Sequence, residues 1–162
     1  MKIVCAETVL LGEEAFSTLG ETAVIPDRAI GRGDLLDADA LIVRSKTRIN
    51  RELLEGTPVK FVGTATAGSD HIVAADLSAL EIYWCASPGC NANSVSEYIT
   101  AALLTLAQQN DIKLEGKTIG VIGCGNVGSR TVQKCEALGL RVLRNDPPLA
   151  AVSTDPDFLP LE

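Results

Sequence analysis

The sequence predicts an α/β protein built from parallel strands and intervening helices in two successive blocks. Short apolar, β-branched runs alternate with helical segments through residues 1–92. A second apolar run, at residues 118–122, leads into a glycine-rich turn and a helical pattern. The 162 residues are 46% hydrophobic and 22% charged, a balance that is typical of a folded globular protein. These three observations together favour layers of helices on parallel sheets.

The first block has the strand and helix signals of a doubly wound sheet. We expect strands at residues 2–6, 22–25, 40–44, 59–63 and 81–85, and helices at 13–19, 51–54 and 72–80. This order predicts a flavodoxin-like domain, in which ligand-facing loops follow the carboxyl ends of the strands. We therefore assign residues 1–92 to a first domain and residues 93–162 to a connecting helix and a second domain.

The connecting helix is predicted within residues 87–109 (SPGCNANSVSEYITAALLTLAQQ). Ser94 and Glu97 have the spacing of a capping box at its start. Apolar residues then recur at helical spacing and predict one buried face. This face consists of Val95, Tyr98, Ile99, Ala102, Leu103 and Leu106. Packing against the rest of the chain explains the stripe most simply, and a dimer interface is the alternative.

Residues 117–146 (KTIGVIGCGNVGSRTVQKCEALGLRVLRND) predict strand, glycine turn, helix and strand. Gly123, Gly125 and Gly128 form a G-x-G-x-x-G sequence, in which Asn126 and Val127 open the helix. In dinucleotide-binding sites the first glycine makes a tight turn, the second admits the pyrophosphate and the third allows close helix packing. These five residues are therefore the predicted cofactor-binding loop of a partial Rossmann domain with one βαβ unit.

Asp146 closes the second strand of this unit, near the roughly 20-residue offset expected of an acid that binds the adenosine ribose. It precedes two prolines, so a role in forming a turn is the alternative. Arg144 suggests NADP as the alternative cofactor, but retention of the acidic Asp146 favours NAD. An adenosyl-methionine methyltransferase has a similar glycine loop and acid, although the leading α/β block argues against one.

Composition excludes several classes of function. The formal net charge is −7 without a basic cluster, which argues against nucleic-acid binding. No apolar run reaches the ~18 residues of a membrane span. The five cysteines are odd in number and form no C-x-x-C, so we expect neither a disulfide framework nor a metal site. A reducing cytoplasmic location is the simplest interpretation.

Two loops of the first block are candidate substrate sites because they follow predicted buried strands. Ser45 lies just after one strand, and residues 64–70, which include Thr66, follow the next. Either hydroxyl has a structural alternative, since Ser45 suits a turn and Thr66 suits a helix cap. The predicted position at strand ends favours substrate contact for both.

Several motifs in this order resemble the D-2-hydroxyacid dehydrogenase family, in particular its members that oxidise 4-phospho-D-erythronate. They are VRS at 43–45, KFVGTATAGSDH at 60–71, SPGCNA at 87–92, VIGCGNVG at 121–128 and DPP at 146–148. The resemblance implies NAD-linked oxidation of a small phosphorylated hydroxy acid in pyridoxine and pyridoxal phosphate biosynthesis, by an enzyme that is a homodimer at full length. It also implies substrate contacts for Ser45 and Thr66, and a ribose contact for Asp146.

By the same resemblance, the family's catalytic Arg, acid and His lie beyond Glu162, so we expect no catalytic residue among these 162 and interpret the chain as truncated. The single histidine, His71, matches a family position that is not the catalytic one. Two hypotheses follow. The chain is part of a dehydrogenase, or it is a non-catalytic NAD-binding or interaction remnant.

Overall fold

The computed structural model describes residues 1–153 and 157–161. The chain divides into two compact units, Met1–Pro88 and Gly89–Glu162. Each unit has its own parallel sheet and its own apolar core. The α/β class predicted from the alternating apolar runs is confirmed.

The first unit is a five-stranded parallel sheet in the order β2-β1-β3-β4-β5. Its strands are β1 (Lys2–Ala6), β2 (Glu21–Ile25), β3 (Ala40–Val43), β4 (Phe61–Thr64) and β5 (Tyr83–Cys85). Its helices are α1 (Gly12–Phe16), α2 (Arg51–Leu54) and α3 (Ala74–Ala79), with a 3₁₀ turn at Arg32–Leu35. This strand order is the flavodoxin-like one that the sequence predicted.

Alternation along the strands gives this sheet two apolar faces. The larger core contains Val4, Leu41 and Val62, and the helical Leu54 and Leu77 pack on the same cluster. The opposite face carries a smaller cluster, made of Ile3, Cys5, Ala40 and Ile42 with Val9 and Phe16 beside it. Strand β3 is the middle strand of this sheet, and it is buried at every residue. A fully buried parallel strand needs such a continuous apolar run.

Several predicted boundaries in the first unit are too wide, and the strand predicted at 59–63 begins only at Phe61. The strand predicted at 81–85 begins at Tyr83, because Glu81 has a positive φ of 56° and belongs to the preceding turn. The helix predicted at 72–80 spans Ala74–Ala79, and Ile72 instead forms a parallel bridge with Ile49. The helix predicted at 13–19 ends at Phe16, where the backbone turns.

The second unit contains a long helix followed by one βαβ motif. Its elements are α4 (Ala92–Gln109), β6 (Thr118–Ile122), α5 (Asn126–Ala137), β7 (Arg141–Asn145) and α6 (Pro147–Ala150). Strands β6 and β7 are parallel and in register from Thr118 with Arg141 to Ile122 with Asn145. Helix α5 packs its buried residues Val132 and Cys135 on this pair.

The predictions for α4 are partly wrong. The helix begins at Ala92 rather than at a Ser94 cap, and the Glu97 carboxylate accepts a hydrogen bond from Asn93 instead. Of the predicted buried stripe, Tyr98 is 75% exposed and Leu106 is 55% exposed. The buried residues of α4 are the small Ala92, Ser96 and Ala107. Small residues let two helices approach closely, and α4 packs against α5.

The two-stranded sheet of the second unit is covered on one face. Ile119 and Val121 contribute to the core beneath α5, whereas Ile122 is 71% exposed. On the far side of β7, Arg144 forms a parallel bridge with Phe158. The part of the tail that the structure describes therefore extends the sheet at β7. Among the described residues, none pairs with the other edge of β6.

Candidate functional site

The two predicted substrate residues follow adjacent strands at the same edge of the first sheet. Strands β3 and β4 pair in register as far as Val43 and Thr64. The Ala65 amide then donates a 2.8 Å hydrogen bond to the Val43 carbonyl. Ser45 and Thr66 lie just beyond this last contact. The parallel register therefore brings both hydroxyl-bearing loops to the carboxyl edge, where ligands bind in such sheets.

Ser45 and Thr66 differ in how firmly they are held. Ser45 is exposed. The Thr66 hydroxyl is half-buried, lies 2.6 Å from the Thr64 hydroxyl and donates to the Gly68 carbonyl at 2.7 Å. The Thr66 carbonyl also accepts a bond from the Ser87 amide, which ties this loop to the segment after β5. Thr66 is thus fixed from three directions.

His71 lies in the same loop and points its ring at the end of β4. Its Nε2 is 2.9 Å from the Thr64 hydroxyl, and its carbonyl accepts from the Ile49 amide. Burial lowers the pKa of His71 from its ordinary value, and the nearby Asp70 carboxylate partly offsets this effect. The neutral imidazole is therefore the favoured form near pH 7.

The sequence reasoning missed a buried carboxylate at the same edge of the sheet. Asp27 is 3% exposed, and its side chain accepts bonds from the hydroxyl and the amide of Thr8 at 2.7 and 3.4 Å. Its carbonyl accepts from the Thr47 hydroxyl, and Arg44 donates to the Thr8 carbonyl. These bonds join the loops after β1, β2 and β3. Asp27 comes shortly after a strand and a proline, which was the one available signal.

The three glycines of the second unit each meet a different steric demand. Gly123 has a φ of 84°, a conformation that side chains rarely adopt. A β-carbon at Gly128 would lie 1.8 Å from the Gly123 carbonyl oxygen, whereas one at Gly125 would meet no atom within 4 Å. The turn is therefore tight at its start, open at its middle and closely packed where the helix crosses the strand. This is the pattern of a backbone that receives a pyrophosphate.

Asp146 folds back onto this turn. Its Oδ2 accepts a 2.8 Å bond from the Cys124 amide, and its Oδ1 accepts a 3.1 Å bond from the Leu149 amide. The turn-forming alternative is thus realised, because Asp146 caps α6. The same bonds bring the carboxylate to the glycine loop. The Asp146 charge and burial both raise the pKa of the Cys124 thiol, with burial as the larger cause.

The remaining predicted cofactor residues begin helix α5. Asn126 is exposed, and its side chain lies close to Gly89, where a β-carbon would approach within 2.9 Å of the amide carbon. Val127 is half-buried. The first N–H groups of a helix lack partners within it and carry the positive end of its dipole. The loop and the start of α5 can therefore bind a phosphate without a basic side chain.

Arg144 is engaged on the surface of the second unit. It donates to the Glu136 carboxylate at 2.6 Å, and its side chain is 19% exposed.

All five cysteines are free thiols. Within residues 1–153 and 157–161, no three His, Cys, Asp or Glu side chains form a group able to hold a metal. In the same residues, no helix combines the length and hydropathy needed to cross a membrane.

Residues 13–151 match the family described as D-isomer specific 2-hydroxyacid dehydrogenase, catalytic domain. The chain is 50% identical, over 158 residues, to erythronate-4-phosphate dehydrogenase of Salmonella arizonae, covering 98% of this chain and 42% of the relative. The protein of the same name from Salmonella paratyphi B is 49% identical over 162 residues, which are 43% of its length. The chain thus spans less than half of these relatives.

Solved structures give the same likeness at lower identity. One is the NAD⁺-bound 3-phosphoglycerate dehydrogenase of Entamoeba histolytica, with a TM-score of 0.73, 28% identity and coverage of 98% of this chain and 57% of that one. Another is D-lactate dehydrogenase of Aquifex aeolicus complexed with NAD and lactic acid. Its TM-score is 0.73 and its identity 25%, with coverage of 96% of this chain and 53% of that one.

Proposed function

Because the chain belongs to the D-isomer specific 2-hydroxyacid dehydrogenase family, we propose that it forms part of an NAD-dependent 4-phospho-D-erythronate dehydrogenase. In this proposal residues 1–92 bind the substrate, and residues 93–162 hold the adenosine-pyrophosphate end of the cofactor. Relatives that carry this enzyme's name align with nearly the whole chain. We further propose that the complete enzyme is a cytoplasmic homodimer that serves pyridoxine and pyridoxal phosphate biosynthesis.

The observation that carries the proposal is the open glycine turn beside the Asp146 carboxylate. A side chain at Gly125 would fill the space in front of the loop, and glycine leaves that space for a pyrophosphate. Gly123, Gly128 and the start of α5 supply the turn, the packing and the N–H groups. Asp146 retains lone pairs that can accept the ribose hydroxyls. When bound, NAD supplies the hydride acceptor for oxidation of a 2-hydroxy acid.

The surroundings of Arg144 support NAD rather than NADP. An arginine that serves NADP must reach the additional ribose phosphate. Arg144 instead forms an ion pair with Glu136. The negative charge of Glu136 disfavours a phosphate at the same arginine. The Asp146 carboxylate would repel the same phosphate. Both groups favour the unphosphorylated ribose.

The loops after β3 and β4 suit an anionic hydroxy acid. Ser45 lies between Arg44 and Lys46, both exposed cations on a chain whose net charge is −7. These charges attract a phosphate or a carboxylate to an edge that the rest of the protein would repel. The Ser45 and Thr66 hydroxyls can then contact the polar groups of the substrate.

A second candidate function is cofactor and substrate binding without turnover. Acid–base work on a hydroxy acid needs a base within hydrogen-bond reach of the proton it removes. The only histidine, His71, has its Nε2 bonded to Thr64. This observation favours a chain that binds but does not catalyse.

Calorimetric titration of the purified chain separates these functions. The dehydrogenase proposal expects binding of NADH and of 4-phospho-D-erythronate, weaker binding of NADPH, and none of adenosyl-methionine. Formation of NADH from 4-phospho-D-erythronate and NAD then distinguishes turnover from binding alone. If the chain binds neither NADH nor 4-phospho-D-erythronate, both candidate functions are contradicted.

A further inference from the structure

Three polar side chains at the end of β4 form a continuous chain of hydrogen bonds. His71 Nε2 lies 2.9 Å from Thr64 Oγ1, which lies 2.6 Å from Thr66 Oγ1, and Thr66 Oγ1 is 2.7 Å from the Gly68 carbonyl oxygen. Thr64 is 3% exposed, so water has little access to the middle of this chain. Every contact has the length of a true hydrogen bond.

The direction of these bonds follows from counting hydrogens. A carbonyl oxygen only accepts, and a threonine hydroxyl has one hydrogen to donate. Thr66 therefore uses its hydrogen on Gly68 and must accept from Thr64. Thr64 has then used its own hydrogen and must accept from His71. The His71 ring consequently carries a hydrogen on Nε2.

We propose that Thr64 and His71 are positioning residues that make the Thr66 hydroxyl a hydrogen-bond acceptor toward the substrate. With its hydrogen committed to Gly68 and one lone pair committed to Thr64, Thr66 Oγ1 has a second lone pair left to offer. This inference rests on the proposed function, in which Thr66 contacts a phosphorylated hydroxy acid. The partner of Thr66 is then a substrate hydroxyl group, and the carboxylate and phosphate are bound elsewhere.

This polarity gives the site a basis for selectivity. A substrate hydroxyl can donate to the Thr66 oxygen, whereas a carboxylate, a phosphate dianion or a keto oxygen has no hydrogen to give. An acid that lacks the hydroxyl leaves the second lone pair of Thr66 Oγ1 without a hydrogen-bond donor. Loss of one ordinary neutral hydrogen bond weakens binding by about ten-fold. A site that relies on a substrate hydroxyl rejects analogues without it.

The first test needs no substrate, because His71 is the only histidine of the chain. In protein labelled with ¹⁵N-histidine, the two ring nitrogens are observed without assignment. We expect the Nε2–H tautomer at neutral pH, in wild type and in Thr64→Ser. Thr64→Val removes the acceptor, so the Nε2 hydrogen should exchange faster with solvent. An Nδ1–H tautomer in the wild-type protein, or equal exchange in both variants, overturns the proposed direction.

The second test measures binding of 4-phospho-D-erythronate and of its 2-deoxy and 3-deoxy analogues. One analogue should bind wild type about ten-fold more weakly than the parent compound. Thr66→Val should lose this discrimination, and Thr66→Ser should retain it. His71→Phe should reduce the discrimination, and His71→Gln should restore it because its amide nitrogen can donate to Thr64. Circular dichroism identifies variants that have not folded.

The outcomes separate this inference from the proposed function. If 4-phospho-D-erythronate does not bind wild type, the proposed function fails, while the tautomer still reports on the chain of bonds. If 4-phospho-D-erythronate binds wild type and the affinity difference between it and the deoxy analogues is the same in Thr66→Val as in wild type, the acceptor role of Thr66 is wrong. Loss of discrimination in His71→Phe without rescue by His71→Gln contradicts the positioning role.

Discussion

The Asp146 carboxylate links the glycine loop to the segment after β7. One oxygen binds the Cys124 amide and the other binds the Leu149 amide, so the side chain has a structural role in the absence of any ligand. An ionised carboxylate has about four acceptor sites, and two bonds leave room for ribose hydroxyls. The turn-forming and ribose-binding interpretations of this residue are therefore compatible.

Asp146→Asn should weaken NADH binding by about ten-fold or more, because hydrogen bonds to a charged group are worth about 1.5–3 kcal/mol. The amide retains one acceptor oxygen but donates where the carboxylate accepted. Fluorescence titration with NADH measures the change. Asp111→Asn is the matched control, since it removes the same charge at a residue with a φ of 51° that asparagine tolerates. Equal affinity in wild type and Asp146→Asn would count against the ribose contact.

His71 gives the protein a small pH dependence of stability. Burial lowers its pKa in the folded state, so the unfolded chain binds a proton more readily. This contribution to stability is fully present above the unfolded value of about 6.5. It is lost as the pH falls from there through the folded pKa.

Two measurements check this direction. The ¹⁵N shifts of His71 should titrate with a midpoint below about 6.5, the ordinary histidine value. His71→Gln should remove the pH dependence of the free energy of unfolding, measured with urea, between the folded and unfolded pKa values of His71. Above the unfolded pKa value the free energy of unfolding should be unchanged. A midpoint above the ordinary value contradicts the expectation, since it would mean that Asp70 outweighs burial.

At the scale of elements, the turn between β6 and α5 depends on the smallest residue at its third glycine. Gly128→Ala places a β-carbon against the Gly123 carbonyl, and the backbone must shift to relieve the overlap. We expect a loss of about 2–3 kcal/mol in the free energy of unfolding, together with weaker NADH binding. Gly120→Ala in β6 is the control, because its β-carbon meets no atom within 4 Å. Equal stability of the two variants would show that the turn relaxes freely.

The elements also show how far the sequence alone can predict this fold. Strands β1 and β3 were predicted to within one residue because each is a short apolar run with few alternatives. The exposed face of α4 was not, because helical spacing shows which residues share a face but not which partner covers it. Ser96 and Ala107 are buried, whereas Tyr98 of the predicted stripe is exposed.

Prediction of the candidate site was limited for a similar reason. The glycine turn was recognisable because only glycine satisfies its local backbone and packing demands. The bonds from Thr64 to His71 and from Asp27 to Thr8 join residues brought together by strand register. Composition and spacing contain no trace of such bonds. Strand ends indicate where a site lies, and tertiary contacts decide how its polar groups are directed.

At the scale of the whole molecule, the chain has two compact units with separate cores. Leu41 is fully buried in the first core, and Val132 is 5% exposed in the second. The single tryptophan, Trp84, packs against the first core, so its fluorescence reports on that unit. NADH binding reports on the second unit in the proposed function.

Core substitutions should therefore affect the two signals differently. Leu41→Ala should lower the stability monitored by Trp84 by about 3 kcal/mol, since a buried leucine leaves both lost transfer energy and a cavity. Val132→Ala removes two carbons from the second core and should lower the stability of the NADH-binding unit by about 2 kcal/mol. Urea titrations with Trp84 fluorescence and NADH binding measure both. Each unit has its own core, so Val132→Ala should leave the Trp84 transition in place. A Trp84 midpoint that falls equally in both variants would mean that the chain unfolds as one cooperative body.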